Sequence, residues 1–277
     1  VIEGTVDFGA TDAPMSNDQL KQAKQKQGTE ILHIPTVLGA VVMTYHIKGV
    51  GQGLKLTPDV LADIYLGKIT QWNDTRLKKL NPGVNFPNEA IFVVHRSDGS
   101  GTSNIFTSYL KKVSPTWAKQ VGQGTSVKWP VGLGGKGNEG VSGIVKQTEG
   151  SIGYVELAYA EQNGLSYASI KNKAGNFVLP TFDAVSAAAS GYIKNMPSDL
   201  RVDITDADGK NSYPISGFTW LLVYQNMKDK TKAKALVEFL KWAITDGQKY
   251  AKDLYYAPLP KEVVELNKKK IAEINVK

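Results

Sequence analysis

Hydrophobic and polar positions along this chain fall into short blocks whose period switches between two and about three and a half. Residues 31–37 and 39–45 form two runs apolar enough to lie inside a sheet. Shorter strand candidates stand at 6–10, 91–94, 125–129, 152–155, 177–179 and 215–224. Helical segments interleave with them. Ser16 caps a polar, surface-lying helix over 17–26, and Thr57-Pro58-Asp59 carries a full set of start signals for one over 57–66. Another short helix ends at Asn81-Pro82-Gly83, and further ones are expected at 115–120, 141–147, 156–163 and 182–190. Ala233, Leu236, Val237, Leu240, Trp242 and Ala243 give helical periodicity to 232–245, and 262–274 is a final amphipathic helix. Residues 203–211 read as a polar hairpin or loop, and 1–5 as the end of a helix running into a strand. Strands and helices alternate throughout, so the expected class is α/β. Three glycines within 48–53 suit a crossing between domains, and the long strand at 215–224 suits a return. The expected bodies are therefore 1–47 with 217–277, and 48–216.

One stretch organises the chemistry. Ile91 to Val94 is a buried strand, Asp98-Gly99 a turn, and Ser100 or Thr102 can cap the helix that runs on through Tyr109 and Leu110. A helix start presents unpaired N–H groups and the positive end of the helix dipole. With Gly101 allowing close approach and Arg96 adding a permanent charge, the turn is suited to hold a phosphate-like oxyanion. Asp98 can orient the guanidinium and lower its net charge. The plainer alternative is that Arg96 and Asp98 merely pair across a turn while Ser100 merely caps a helix.

Composition narrows the field. The 277 residues, 42% hydrophobic, suffice for two modest domains or one large one. The net charge of +7 admits nucleic acid, an anionic surface or a small anion as partner. The lysines are scattered, however, and Lys268-Lys269-Lys270 reads as a solvated helix face, so no nucleic acid is expected. With no cysteine there is no disulfide, thiolate metal site or thiol nucleophile. His33, His46 and His95 each stand alone among apolar neighbours and read as core or strand residues, so no metal site or cofactor is expected. No apolar run reaches the roughly 18 residues of a membrane span, and no signal peptide is evident. The chain opens without Met, as though a leading segment were removed or unrecorded.

A second glycine-rich stretch, 132–140, fits neither common nucleotide motif. Pro130 stands where a P-loop needs its first glycine and Gly137 follows Lys136, while no clear strand and acidic partner frame a dinucleotide fingerprint. These glycines are expected to allow tight packing near a ligand cleft.

Several stretches together resemble the periplasmic phosphate-binding component of high-affinity phosphate ABC importers. They are 6–14 (Val-Asp-Phe-Gly-Ala-Thr-Asp-Ala-Pro), 63–69, Arg96-Ser97-Asp98-Gly99-Ser100-Gly101-Thr102-Ser103, 127–130 running into 134–138, and 152–156. The resemblance covers essentially the whole chain in order. It implies a two-lobed periplasmic-binding-protein fold of type II, with an anion engulfed at the hinge between α/β lobes. It implies as ligands Asp12 from the first lobe and Arg96, Asp98, Ser100, Thr102 and the Gly101 amide from the second. It also implies inorganic phosphate and the membrane permease of an ABC transporter as partners, a monomeric state and a periplasmic location. Asp12 matches the family carboxylate that accepts a hydrogen bond from a protonated phosphate oxygen. Such a carboxylate would reject fully ionised sulfate, which has no proton to give. Read locally, Asp12 is simply a turn-forming residue ahead of Pro14. The family's opening strand and its Gly-Ala-Gly-Ala-Thr-Phe-Pro loop have no counterpart here, nor does a later Ser/Gly-rich loop, so the first lobe is expected to be incomplete.

Two other functions compete. A phosphate-ester hydrolase would want Gly-x-Ser-x-Gly around Ser100, where Asp98 occupies the first glycine position. A surface adhesin could reuse the same fold. The expectation is a binding protein and not an enzyme, with no catalytic residues.

Overall fold

The computed structural model describes residues 1–276, except the side chain of Lys194; Lys277, the last residue assigned to the first body, lies outside them. In chain order the first half forms β1 (Phe8–Thr11), α1 (Asn17–Gln27), β2 (Ile31–His46), β3 (Lys55–Leu56), α2 (Pro58–Tyr65), α3 (Thr75–Leu80), β4 (Phe92–Arg96), α4 (Gly101–Val113) and α5 (Pro115–Gln120). There follow β5 (Leu133–Gly135), α6 (Gly137–Gln147), β6 (Ser151–Glu156), α7 (Leu157–Asn163), β7 (Ser166–Tyr167), β8 (Ser169–Lys171), β9 (Phe177–Val178), α8 (Phe182–Ser190), β10 (Ser216–Tyr224), α9 (Lys230–Ala243) and α10 (Lys261–Ile271).

β2 is the spine. The two expected strands at 31–37 and 39–45 are one strand of 16 residues, continuous through Pro35 and Gly39. Its first part, up to Ala40, pairs antiparallel with β10, and from Val41 onward it pairs with β6. The main sheet runs β1-β10-β2-β6-β4-β5, with β7 also on β2, and β3-β8-β9 form a small second sheet. Where the partner changes, Ala40 faces Ser216 and Val41 faces Glu156. Sheet pairing rather than the local glycine therefore decides this segment. β4 lies parallel to both β5 and β6, and α6 packs against them, which is the α/β layering that the alternating pattern foretold.

Pro35 leaves a mark. It has no N–H to give to the ladder, and the register of β10 on β2 shifts there: Thr219 faces Val37 while Trp220 faces Pro35. Thr36, left over, donates its hydroxyl to the Thr219 carbonyl at 3.1 Å. The kink sits beside the end of β1, where Thr11 faces Trp220.

Under β4 and α4 lies an aromatic bed. Tyr65 meets Phe106 edge-on with ring centres 4.8 Å apart, and Tyr154 stacks on Phe106 at 4.6 Å and on Trp129 at 5.5 Å. His95 stacks on Trp129 at 4.9 Å. All three histidines lie in strands. His33, buried, accepts the Met15 N–H on Nε2, and burial pushes its pKa down to about 4.

Three local expectations fail. Residues 1–5 form a turn closed by Gly4 N–H to the Val1 carbonyl, not a helix end. Residues 125–129 are irregular, because Trp129 is drawn into the aromatic bed instead of a ladder. Leu133–Gly135 is a strand despite its glycines, since β4 supplies a parallel partner; α6 consequently begins at Gly137, four residues early.

The 132–140 glycines do serve close packing. A Cβ on Gly135 would lie 2.8 Å from backbone atoms of Gly140 and Val141. At Gly153, in the middle of β6, a Cβ would meet Val141 Cγ1 and Val145 Cγ2 at 2.9 Å each. Gly153→Val should therefore overpack the contact of α6 with the sheet and lower stability by about 1–3 kcal/mol. Urea unfolding followed by tryptophan fluorescence would read this, and an unshifted midpoint would contradict it.

Candidate functional site

The turn after β4 is held from below before it can hold anything. Arg96 ends β4, and its backbone N–H donates to the Tyr154 hydroxyl at 3.0 Å. The same hydroxyl is bonded to Ser103 Oγ at 2.6 Å, so one phenol ties the end of the strand to the first turn of α4. Ser100 caps that helix: its Oγ accepts the Ser103 N–H at 3.0 Å, and its own N–H donates to the Thr125 carbonyl. Ser100, Thr102 and Ser103 are all buried. The Gly101 and Thr102 amides follow the cap and belong to the set that an α-helix leaves unpaired.

Arg96 and Asp98 pair as a fork. Nε donates to Oδ1 at 2.8 Å and Nη2 to Oδ2 at 2.6 Å, with the arginine side chain only 9% exposed. The guanidinium and the Gly137 N–H, which donates to Asp98 Oδ1 at 3.1 Å, hold the Asp98 carboxyl well below the usual carboxylate range. Asp98 is thus committed to orienting Arg96, whose Nη1 and second Nη2 N–H are the donors that this fork leaves over. The amide at the start of α6, in the second glycine-rich stretch, is likewise turned onto Asp98.

Asp12 reaches the same place from the far end of the sheet. It follows β1 directly, and its carboxyl sits against Gly101: a Cβ built there would lie 2.7 Å from Asp12 Cβ and Oδ2. Any side chain at 101 would close this approach, which is why glycine stands there. Thr219, displaced by the irregularity opposite Pro35, donates to Asp12 Oδ1 at 2.6 Å. Burial pushes the Asp12 pKa up, against the pull of the Thr219 bond, of Glu156 and of the Arg96 charge. A carboxylate, a guanidinium and a helix start, separated by as many as 90 positions in sequence, therefore converge. Beside them is a cavity of about 130 Å³, lined by Asp12, Asn104, Ser108, Ser216 and Gly217 among others. Pro14 and Asn104 also border a wider groove of about 930 Å³ along β1.

All six residues singled out from sequence are thus brought together, in different capacities. Gly101 and Thr102 offer amides, Arg96 offers charge, and Asp12 offers an acceptor. Ser100 and Asp98 carry structural bonds of their own, as the plainer alternative supposed. Sequence reading missed Thr219, Tyr154, Tyr256 and Glu156. Glu156 Oε1 accepts from Thr102 Oγ1 at 3.4 Å and Oε2 from the Tyr256 hydroxyl at 2.5 Å. The available signal was a lone carboxylate ending the otherwise buried run Ser151–Glu156. Asn138, beside Thr102, donates Nδ2 to its hydroxyl at 3.5 Å.

The fold matches a known class. The family described as the PBP superfamily domain covers residues 1–246, and solved two-lobed binding proteins share the architecture. The chain superposes on a high-affinity periplasmic phosphate-binding protein, PfluDING, with a TM-score of 0.75 at 21% identity, covering 94% of this chain and 77% of that one. A phosphate-binding protein from Stenotrophomonas maltophilia gives a TM-score of 0.70 at 20% identity, over 95% of this chain and 78% of that one. Sequence relatives are nearer. The phosphate-binding protein PstS of Xylella fastidiosa (strain 9a5c) is 45% identical over 94% of this chain and 70% of its own length. PstS of Pasteurella multocida (strain Pm70) is 45% identical over 96% of this chain and 76% of its own. PstS of Methanocaldococcus jannaschii is 45% identical over 89% of this chain and 68% of its own. The chain belongs to the PstS family of phosphate-binding proteins.

Asp98→Ala should free both the Arg96 fork and the Gly137 amide. Hydrogen exchange followed by mass spectrometry is expected to show the 96–100 turn and the start of α6 exchanging on the order of tenfold faster or more. Unchanged protection of the Gly137 amide would deny Asp98 this anchoring role.

Proposed function

We propose that this protein binds inorganic phosphate between its two bodies and delivers it to the membrane permease of an ABC-type importer, from the periplasmic side. The observation that carries this is the seating of the Asp12 carboxyl against the Gly101 amide region, beside Arg96. Helix start and guanidinium attract an oxyanion, while the carboxylate would repel any anion that brings no proton. HPO4 and H2PO4 satisfy both demands, with Asp12 as the acceptor of a phosphate O–H. Arg96 Nη1, the Gly101 and Thr102 amides and the Ser100 hydroxyl supply donors to the remaining oxygens, and Asp98 keeps Arg96 in place. The names of the 43–45% identical relatives support the same ligand. Among the described residues no helix is long and apolar enough to cross a membrane.

The division into bodies 1–47 with 217–277 and 48–216 belongs to this proposal, with β2 as the member common to both. Closing about the crossings at 40–41 and 215–217 would bring Asp12 onto the α4 start. A ligand that contacts both sides stabilises the closed form by its differential affinity, and the permease would read closure. The protein acts as a monomer that carries its ligand without chemical change. Ser100, whose Oγ accepts from Ser103, has its nearest sequence histidine, His95, stacked on Trp129 with Nδ1 against the Arg96 carbonyl, which supports binding over hydrolysis.

Asp12→Asn should lose discrimination rather than all affinity. Isothermal calorimetry with phosphate and with sulfate is expected to show the preference for phosphate falling on the order of tenfold to a hundredfold, the worth of one hydrogen bond to a charged acceptor. An unchanged preference would remove Asp12 from this role.

A further inference from the structure

Asp12 is not the only acid at the start of α4. Glu156, the last residue of β6, brings a second carboxyl to the same place from the other body, and the two lie within hydrogen-bonding reach of each other. Ionised carboxylates only accept hydrogen bonds, so a bonded pair needs a proton between them. The remaining bonds of Glu156 come from neutral donors, the hydroxyls of Thr102 and Tyr256.

The charges around the pair offer little to hold two negative groups. Among the described residues Arg96 is the one cation that acts on Asp12, and its fork is already engaged by Asp98. Tyr256 and Tyr159 face Glu156 as phenols whose pKa values are raised, chiefly by burial, so they stay neutral. Behind Tyr159 stands Glu139, which accepts that phenol's hydrogen bond at 3.2 Å and adds only negative charge. On the β10 side Asp12 meets the neutral Thr219. With Asp12, Asp98 and Glu156 all ionised, three carboxylates would oppose one guanidinium before any anion arrived.

Building on the phosphate reading above, we propose that Glu156 is a specificity-determining residue that keeps its own proton and directs it at Asp12, so that the binding-competent cleft presents one carboxylate to phosphate and not two. Its position suits the task. Glu156 faces Val41, next to the point where β2 exchanges β10 for β6, and Tyr256 comes from the segment whose Ala257 bridges to Leu38 on the other side of that point. The Glu156 contacts to Asp12 and Tyr256 therefore span the two bodies and are complete only when these are together.

The direction with pH follows. Burial, then the Asp12 charge, push the Glu156 pKa up to about 7. Below that value the proton is in place. Above it the free cleft loses the proton, and phosphate must either be joined by a proton from solvent or lie beside two carboxylates. Affinity should therefore fall as pH rises above neutrality, by up to about tenfold per unit. Glutamine at this position offers a permanent N–H donor and abolishes the dependence.

Calorimetry with inorganic phosphate on the wild-type chain and Glu156→Gln, between about pH 6 and pH 9, tests this, because the titration of phosphate itself is common to both. The ratio of wild-type to variant Kd should climb about tenfold or more across the range. Repeating the titration near pH 9 in buffers of low and high ionisation enthalpy should show the wild type taking up a proton on binding, a measurement that stands even if the variant folds poorly. A flat ratio, or no proton uptake by the wild type near pH 9, would overturn the assignment. Failure of both proteins to bind phosphate at any pH would instead overturn the phosphate reading, and the role of Glu156 with it.

Discussion

A carboxylate held against the positive end of a helix is an odd companion for an anion site, and most of this structure can be understood as the means of keeping it there. The first turn of α4 and Arg96 make an attractive field for negative charge. Asp12 sits inside that field with no glycine-free route to it, since only the missing side chain at Gly101 permits the approach. The arrangement is stable because every neighbour is constrained in turn: Thr219 on Asp12, Asp98 on Arg96, Tyr154 on both the end of β4 and Ser103. Attraction alone would accept any oxyanion. Attraction combined with a demand for a proton, the role proposed for Asp12, would be a much narrower filter.

The geometry depends on two features of the sheet. β2 runs through both halves of the molecule and changes partner midway, so the segments bearing Asp12 and Arg96 are referred to a single backbone element. Pro35 breaks the ladder at one step, and the resulting slip places Thr219 where its hydroxyl meets Asp12. A residue usually counted as unfavourable in a strand thereby helps to build the site.

Much of this was legible in the chain. The donors of the 96–102 stretch announce themselves by local chemistry, because a strand, a turn and a hydroxyl-capped helix are specified within a dozen residues. Asp12 was legible only through family resemblance; taken locally it is an ordinary turn residue. Glu156, Thr219 and Tyr256 escaped because nothing near them in sequence requires a partner, and their meeting depends on how β6, β10 and the C-terminal segment are registered on β2. The same limit explains the secondary-structure errors. β5 looks like a loop until β4 lies beside it, and 125–129 looks like a strand until Trp129 finds Phe106 and Tyr154. Pairing across the chain overrules local propensity in both cases.

Because Tyr154 fastens the strand end to the helix start through one oxygen, the floor of the site is held by the fold itself. A ligand meeting such a floor has few rotamers to freeze and no loop to order. In a carrier that must release its cargo as readily as it captures it, the closure proposed above would set a stiff cradle on a hinge, so that the two events differ in one coordinate only, the opening angle.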